Sequence, residues 1–223
     1  MGQKYLAMSV NFVLLTIDSL RSDCATPESM PILADLADSG VRFSRAYATG
    51  YSTPNSFPAI LTGTYASHDG GDGYMSNQRP FLAERISTAG YETAAFHTNP
   101  HLRAEKNYYA GFSTYNDFNN EAGDLSKLRY LVTQNLSSDT RLYKILKRIY
   151  HLFRTTSRST DYAEAPVIND RVLSWLDEEW SEKESFFIWA HYMDVHYPFY
   201  PPDEFLKQVS DRSISNSRAI SLN

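Results

Sequence analysis

Polar residues that could carry chemistry follow three apolar segments of the chain, each typical of a buried strand. In chain order they are Asp18, then His97 and His101, then His191, Asp194 and His196. Open parallel sheets bind ligands just beyond the carboxyl ends of their strands, so these residues are candidates for one shared site. A carboxylate can ligate a hard cation, and a histidine can ligate a metal or donate a hydrogen bond to an anion. For each residue taken alone, a turn, a helix cap or a structural histidine is the alternative.

A hydroxyl-rich segment at 52–56 is the fourth candidate. Thr53 followed by Pro54 predicts a helix with Thr53 as its N-cap and Pro54 as its first residue. The N-terminus of a helix offers unpaired amides and the positive end of the dipole, which suit a tetrahedral oxyanion. A threonine hydroxyl becomes a nucleophile only if a metal or a base activates it, and a plain N-cap is the alternative.

The elements that would position these clusters alternate between strand and helix. Strands are predicted at Phe12–Ile17, Val41–Ala48, Tyr91–Phe96 and Phe186–His191. Helices are predicted at Pro31–Ser39, Thr53–Leu61, Phe81–Thr88 and Pro166–Glu179. The apolar faces of the first and last helices are predicted to comprise Ile32, Leu33, Leu36 and Ala37, and Val167, Val172, Leu173 and Leu176. This alternation predicts an α/β fold, a mostly parallel sheet flanked by helices.

The composition is that of a globular chain. Apolar residues make up 42% and charged residues 21% of the 223 residues, which excludes wholesale disorder, collagen and coiled coil. A net charge of −5 argues against a nucleic-acid partner, and one cysteine, Cys24, excludes an internal disulfide. No run of 18 apolar residues occurs, and Leu6–Ile17 is followed by no cleavage signal. These features favour a buried strand over a signal peptide, and we expect a cytoplasmic protein.

A basic segment interrupts the α/β pattern at about 120–160. Lys127–Arg158 contains eight lysine or arginine residues against one acid, Asp139. Its apolar residues recur at helical spacing and predict an amphipathic basic helix; they are Leu142, Ile145, Leu146, Ile149 and Phe153. We expect an inserted helix with a solvated basic face, and contact with a membrane surface or an anionic polymer is the alternative. The polar tail from Leu206 to Asn223 is expected to fray.

Read together, these segments resemble the sulfatase family of the alkaline-phosphatase-like superfamily. NFVLLTIDSLRSD is similar to the family's opening strand and metal-binding aspartate, and MPILADLADSGVRFSRAYATG to the helix and strand that follow. STPNSFPAILTGTYASHDG resembles the nucleophile motif, AGYETAAFHTNPHL a substrate-binding segment, and FFIWAHYMDVHYPFYPP the segment with an anion-contacting histidine. The resemblance runs from about Val10 to Pro202 and implies an alkaline-phosphatase-like fold.

The resemblance implies a role for each candidate. Counting back from Leu61-Thr62-Gly63 places Thr53 at the nucleophile position, with His196 as the second catalytic residue. It also implies Asp18 as a metal ligand, and His101 and Asn99 as substrate-binding residues. The implied cofactor is a divalent metal, Ca²⁺ in the first place, with Mg²⁺, Mn²⁺ or Zn²⁺ as alternatives.

Three departures from the family pattern modify this picture. Sulfatases oxidise a cysteine or serine to formylglycine, and Thr53 cannot give that aldehyde, so no formylglycine is expected. Phe57 stands where the family has a supporting arginine, and Thr98 where it has a lysine. Related superfamily members use an unmodified threonine as nucleophile, notably nucleotide phosphodiesterases and phosphoglycerol or phosphoethanolamine transferases.

The expected function is therefore metal-dependent hydrolysis of sulfate esters, or of phosphate esters. The expected partner is a small-molecule or glycan ester. Nothing after Pro202 resembles the family's second metal-binding segment. We therefore expect residues 1–223 to form a single N-terminal sulfatase-like domain that is truncated and inactive alone. The alternatives are a threonine-nucleophile phosphodiesterase or phosphotransferase, and a non-catalytic remnant that binds an anion or a glycan.

Overall fold

A computed structural model of the chain describes residues 10–68, 73–118, 162–180 and 185–197. The described residues up to Asp117 and from Glu164 to His196 belong to one compact unit. Its sheet contains the strands β1 (Phe12–Ile17), β2 (Glu92–His97), β3 (Thr114–Asn116) and β4 (Phe186–Tyr192). The strands are all parallel and lie in the order β1-β4-β2-β3. The predicted fold class, an α/β fold with a parallel sheet, is confirmed.

The helices follow the predicted alternation and begin and end close to the predicted residues. They are α1 (Pro31–Ser39), α2 (Thr53–Thr62), α3 (Leu82–Thr88) and α4 (Ala165–Ser174), together with a 3₁₀ turn at Ala104–Lys106. Helix α4 continues into a π turn, Trp175–Glu179. Among the described residues, no helix is long and apolar enough to cross a membrane.

Strand β4 forms the centre of the sheet. Its continuous apolar sequence suits a parallel strand covered on both faces, and Phe187, Ile188 and Ala190 are all buried. Trp189 lies opposite Leu14 of β1 on one side and packs against the ring of Phe57 in α2. The same strand therefore organises both the sheet and the layer that carries α2.

The prediction of a strand at Val41–Ala48 is wrong. This segment contains a turn and is not paired with any strand of the described sheet. Val41 and Phe43 are each 79% exposed. An alternating pattern becomes a strand only where a neighbouring strand offers a ladder and a covered face, and here the described residues provide neither.

Two details of the predicted helices are also corrected. The N-cap of α2 is Ser52, and Thr53 is already helical, one position later in the helix than predicted. In α4 the buried residue is Ile168, followed by Trp175 in the π turn, whereas Val167 and Leu173 are exposed. The Trp175 indole packs against Phe96 of β2 and contributes to the buried face a large ring that the predicted apolar set did not include.

The predicted apolar face of helix α1 is exposed to solvent. None of its residues is buried, and Ile32 and Leu36 are 72% and 59% exposed. Val13 and Leu15 of β1 are also more than half exposed. Exposed apolar surface of this kind is typical of a site of association.

The predicted basic insertion at about 120–160, its helix, and the tail after 206 lie outside the described residues.

The exposed face of α1 predicts self-association. Leu36→Glu places a charge on this face, and we expect it to lower the fraction of oligomer in light scattering because the apolar contact is lost. Ser39→Glu, at the polar end of the same helix, is the charge-matched control and should leave the distribution unchanged. Equal dissociation by both variants would mean that net charge, rather than the apolar face, controls association.

Candidate active site

The candidate site forms where the carboxyl ends of three parallel strands meet the N-terminus of α2. Asp18 directly follows β1, Asn99 follows β2 by two residues, and Met193 directly follows β4. Thr53 Oγ1 donates a hydrogen bond of 3.2 Å to Asp18 Oδ2, and Asn99 Nδ2 donates one of 3.1 Å to the same oxygen. The structure therefore brings together the predicted residues Asp18, Thr53 and Asn99.

Backbone geometry fixes Asp18 at this edge. Its N–H donates to the carbonyl of Tyr192 at 2.9 Å, which extends the β1–β4 ladder by one residue. The next residue, Ser19, adopts a left-handed φ of +58° and donates its hydroxyl to Asp18 Oδ1 at 3.1 Å. Non-glycine residues adopt this conformation at a cost, and such residues are concentrated at functional sites.

The carboxylate of Asp18 is held in its ionised form. Partial burial on its own raises the pKa of Asp18, but the hydrogen bond and charge of His191, with the charge of His196, outweigh burial and lower the pKa. Asp18 is therefore an anion throughout the neutral pH range.

Helix α2 presents a hydroxyl to Asp18 but few free amides. Pro54 has no N–H, and the N–H groups of Asn55 and Ser56 both donate to the carbonyl of Ser52. The expectation that the amides after Thr53 stabilise an oxyanion is therefore wrong for the first turn. The hydroxyl of Ser52 donates to Asn55 Oδ1 at 2.6 Å, so of the two adjacent hydroxyls only that of Thr53 is bonded to Asp18.

Asn99 is 1% exposed and its orientation is defined. Its Oδ1 accepts a hydrogen bond of 2.9 Å from the N–H of His101, which assigns the other end of the amide as the donor. That donor, Nδ2, lies 3.4 Å from Thr53 Oγ1 and 3.4 Å from the sulfur of Met193, in addition to its bond to Asp18. Asn99 therefore acts as a buried donor that holds Thr53 and Asp18 together.

His191 is a site residue that the sequence could not single out. It is fully buried, and its Nε2 lies 3.5 Å from Asp18 Oδ2. Asp194 belongs elsewhere, since its Oδ1 accepts a hydrogen bond from the N–H of Ala165 at the start of α4. The cluster of two histidines and an aspartate after β4 was the visible signal, but only the contacts separate their roles.

The other three candidate histidines have different environments. His97 is buried beside Tyr115, and burial lowers its pKa to about 3, so it is a neutral core residue outside the site. The side chain of His101 is exposed; its partial desolvation, with the charges of Lys106 and His196, lowers its pKa against the opposing effect of Asp18. His196 is half-buried in the turn after β4, where its N–H donates to the carbonyl of Met193.

Phe57 fills the position that the family gives to an arginine. It is buried, with its ring centroid 4.9 Å from that of His191 in an edge-on arrangement. A guanidinium at this place would be a buried cation, so the local packing suits the phenylalanine that the sequence supplies.

The described residues do not form a metal site by themselves. They contain no group of three or more histidine, cysteine, aspartate or glutamate side chains arranged to hold an ion. Asp18 and Thr53 offer oxygens, but Asn99 turns its amide nitrogen toward them. Ca²⁺ takes six to eight oxygen ligands, so these groups do not complete a coordination sphere by themselves.

The lowered pKa of Asp18 predicts a pH-dependent contribution to stability. Because its folded pKa lies below the unfolded value of about 3.9, ionised Asp18 stabilises the fold above that value, and the contribution is lost as the pH falls through the folded pKa. We expect the difference in unfolding free energy between the wild type and Asp18→Asn to narrow below about pH 4. Urea unfolding from neutral to acid pH measures it, with Asp35→Asn on exposed α1 as a control for net charge. A difference that is the same at every pH would contradict the prediction.

Comparison with known proteins gives the family. The sulfatase family model matches residues 10–219. An uncharacterized protein of Haemophilus influenzae is 31% identical over 87 residues, which is 39% of this chain and 14% of that protein.

Three solved structures share the fold. One, solved with its substrate D-glucosamine-2-N,6-O-disulfate, has a TM-score of 0.61 and 17% identity over 92% of this chain and 39% of its own. The lipoteichoic acid synthase LtaP from Listeria monocytogenes has a TM-score of 0.59 and 16% identity over 91% of this chain and 44% of its own. A protein in complex with k-i-k-neocarrahexaose has a TM-score of 0.55 and 18% identity over 94% of this chain and 50% of its own.

The chain therefore spans half or less of the length of each of these proteins. The family match nevertheless covers nearly the whole chain, from residue 10 to residue 219, and the parallel sheet carries the expected residues at its carboxyl edge. The chain belongs to the sulfatase family.

Proposed function

We propose that this chain acts in the hydrolysis of sulfate esters, with Thr53 as the nucleophile and Asp18 as the residue that orients its hydroxyl. The observation that carries the proposal is the 3.2 Å hydrogen bond from Thr53 Oγ1 to Asp18 Oδ2. The adjacent hydroxyl of Ser52 is turned into its own helix, which makes Thr53 the better candidate of the two.

In the proposed reaction, Asp18 and Asn99 orient the hydroxyl oxygen of Thr53. The hydroxyl proton of Thr53 lies along its bond to Asp18, which leaves the lone pairs of Oγ1 for attack on the ester. The bond from Oγ1 to sulfur forms as the bond from sulfur to the ester oxygen breaks. The hydroxyl proton of Thr53 passes to Asp18 and then to the departing oxygen, which leaves as the alcohol. Water then releases sulfate from Thr53. Asn99 Nδ2, 3.4 Å from Oγ1, is a fixed donor beside the reacting group.

Charge balance supports a cation in this site. An anionic ester that approaches Thr53 is repelled by the carboxylate of Asp18, so positive charge is needed nearby. His101 and His196 are electrostatically coupled to Asp18 and are proposed to contact the ester at the rim. Sulfatase-family domains generally use a divalent metal. We propose Asp18 as one ligand of such an ion, with Ca²⁺ preferred and Mg²⁺, Mn²⁺ or Zn²⁺ as alternatives.

The proposed substrate is a sulfated small molecule or glycan. Two of the structurally similar proteins are solved with a sulfated glucosamine and with a neocarrahexaose. Transfer or hydrolysis of a phosphate ester is the second candidate, because threonine cannot be converted to formylglycine. The structural similarity to a lipoteichoic acid synthase is consistent with this second candidate.

The nucleophile assignment predicts a covalent ester on Thr53. The 223-residue chain, with divalent metal added, is incubated with para-nitrophenyl sulfate, D-glucosamine-2-N,6-O-disulfate or bis-para-nitrophenyl phosphate. Because residues 1–223 are expected not to turn over alone, the readout is a single covalent label and not released product. We expect mass spectrometry to find one sulfuryl or phosphoryl group on the peptide that contains Thr53. Thr53→Ala should abolish the label, since removal of a nucleophile reduces the rate by orders of magnitude. Ser52→Ala, the matched control, should keep it.

Each outcome has a separate meaning. Label from the sulfate esters alone supports the sulfatase proposal, and label from the phosphate ester alone supports the second candidate. Label that persists in Thr53→Ala overturns the assignment of the nucleophile. Tight binding of the esters without any label in the wild-type chain favours a non-catalytic protein that binds anions or glycans.

The cation proposal predicts weak binding that depends on Asp18. Because the described residues supply one carboxylate, we expect a dissociation constant above about 10⁻⁴ M in calorimetric titration with each of the four ions. Asp18→Asn should abolish the heat of binding, whereas Asp35→Asn on α1 should retain it. Binding at micromolar affinity, or binding that survives Asp18→Asn, would contradict the proposed role of Asp18.

A further inference from the structure

Two consecutive hydrogen bonds connect Trp189 through Thr16 to Nδ1 of His191, the ring nitrogen that does not face Asp18. Thr16 of β1 lies directly across from His191 of β4, and Trp189 precedes His191 by two residues on the same face of the strand. Trp189 Nε1 donates to Thr16 Oγ1 at 3.0 Å, and Thr16 Oγ1 lies 2.9 Å from His191 Nδ1. None of these contacts belongs to the nucleophile or the rim of the site.

For the neutral imidazole of His191, counting protons decides the direction of these hydrogen bonds. An indole N–H is a donor only, so Thr16 Oγ1 must accept from Trp189. The hydroxyl of Thr16 then has one proton of its own to donate. If that proton goes to His191 Nδ1, each donor and acceptor that links Trp189, Thr16 and Nδ1 of His191 has a partner.

The opposite assignment leaves a proton without an acceptor. If His191 Nδ1 carried the proton, Thr16 Oγ1 would accept two hydrogen bonds, and its own proton would have no acceptor among the described residues. Thr16 is half-buried, and a hydroxyl proton that has no protein acceptor is unfavourable there, which favours the assignment with Nδ1 as the acceptor.

We propose that Thr16 is a positioning residue that, supported by Trp189, holds His191 in the tautomer with its proton on Nε2. The Nε2–H then faces the carboxylate of Asp18, with Nε2 3.5 Å from Oδ2. The hydrogen bonds of the Thr16 hydroxyl go to Trp189 and His191, and not to Asp18 or Thr53. Thr16 therefore acts on the site only through the imidazole of His191.

The contacts on the far side of the ring fit this tautomer. Asn99 Nδ2 lies only 3.3 Å from His191 Nε2, although the amide of Asn99 is fixed as a donor by His101. Two donors approach so closely when both are directed at one acceptor, and Asp18 Oδ2 is 3.1 Å from the first and 3.5 Å from the second. In the opposite tautomer the same 3.3 Å contact would be a hydrogen bond from Asn99 Nδ2 to Nε2, so the tautomer has to be measured.

The consequence for catalysis rests on the proposed function. Asp18 Oδ2 is the atom that receives the hydrogen bond of Thr53, so the direction of the imidazole N–H helps to fix the oxygen that orients the nucleophile. The tautomer itself does not depend on any reaction and can be measured in the unreacted chain.

The test is the tautomer of His191 in the full 223-residue chain labelled with ¹⁵N-histidine. Long-range ¹H–¹⁵N correlation spectra distinguish a protonated ring nitrogen from an acceptor nitrogen, and His191→Gln assigns the signal. We expect Nε2 to carry the proton and Nδ1 to be the acceptor. Thr16→Ser, which keeps the hydroxyl, should preserve this pattern, and Thr16→Val, which keeps the shape, should lose the preference.

The outcomes separate this proposal from the proposed function. A proton on Nδ1 in the wild type, or an unchanged tautomer in a folded Thr16→Val, overturns the role of Thr16. If Thr16→Val does not fold, the wild-type spectrum together with Thr16→Ser still decides the assignment. Thr53→Ala should leave the tautomer unchanged, so an absence of covalent label on Thr53 leaves this measurement unaffected.

Discussion

The pairing of β4 with both β1 and β2 is the constraint on which the site depends. Parallel strands in register end at one edge, so the residues that follow β1 and β2 meet the residues at the end of β4. Asp18, Asn99 and His191 come from three distant parts of the sequence and share one edge for this reason. The N–H of Asp18 extends the ladder to Tyr192, which ties the carboxylate to the sheet itself.

That alignment places the charged carboxylate of Asp18 in a partly buried position, and the surrounding side chains stabilise its charge. Asp18 is half-buried, and a buried carboxylate is costly unless donors surround it. Thr53, Asn99 and His191 all direct polar groups at Oδ2, while Ser19 donates to Oδ1. The nucleophile candidate is therefore one member of a network that stabilises the same charge.

The sequence predicted those parts of the structure that local pattern determines. The apolar segments that became β1, β2 and β4 are continuous, and the Thr53-Pro54 signal placed α2 within one residue. Local pattern could not show that Val41–Ala48 has no strand to pair with in the described sheet, because pairing depends on distant residues. Nor could it show that Ile168 and Trp175, and not Val167 and Leu173, would be buried in α4 and its π turn.

The same limit applies to the site. His191 and Asp194 are three residues apart and equally plausible by composition. Yet His191 contacts Asp18, whereas Asp194 accepts a hydrogen bond from Ala165, the first residue of α4. Asn99 was predicted from a resemblance, but its function as a fixed donor depends on the N–H of His101 two residues later. Such assignments require the direction of each side chain, which spacing alone does not give.

The phenylalanine at position 57, where the family pattern has an arginine, affects both the charge and the packing of the site. With Phe57 buried against Trp189 and His191, the position next to the nucleophile carries no permanent cation. A guanidinium stays charged at every physiological pH, whereas an imidazole titrates near neutrality. Phe57 therefore adds no fixed charge at the position of that arginine, and instead its ring packs edge-on against the imidazole that faces Asp18.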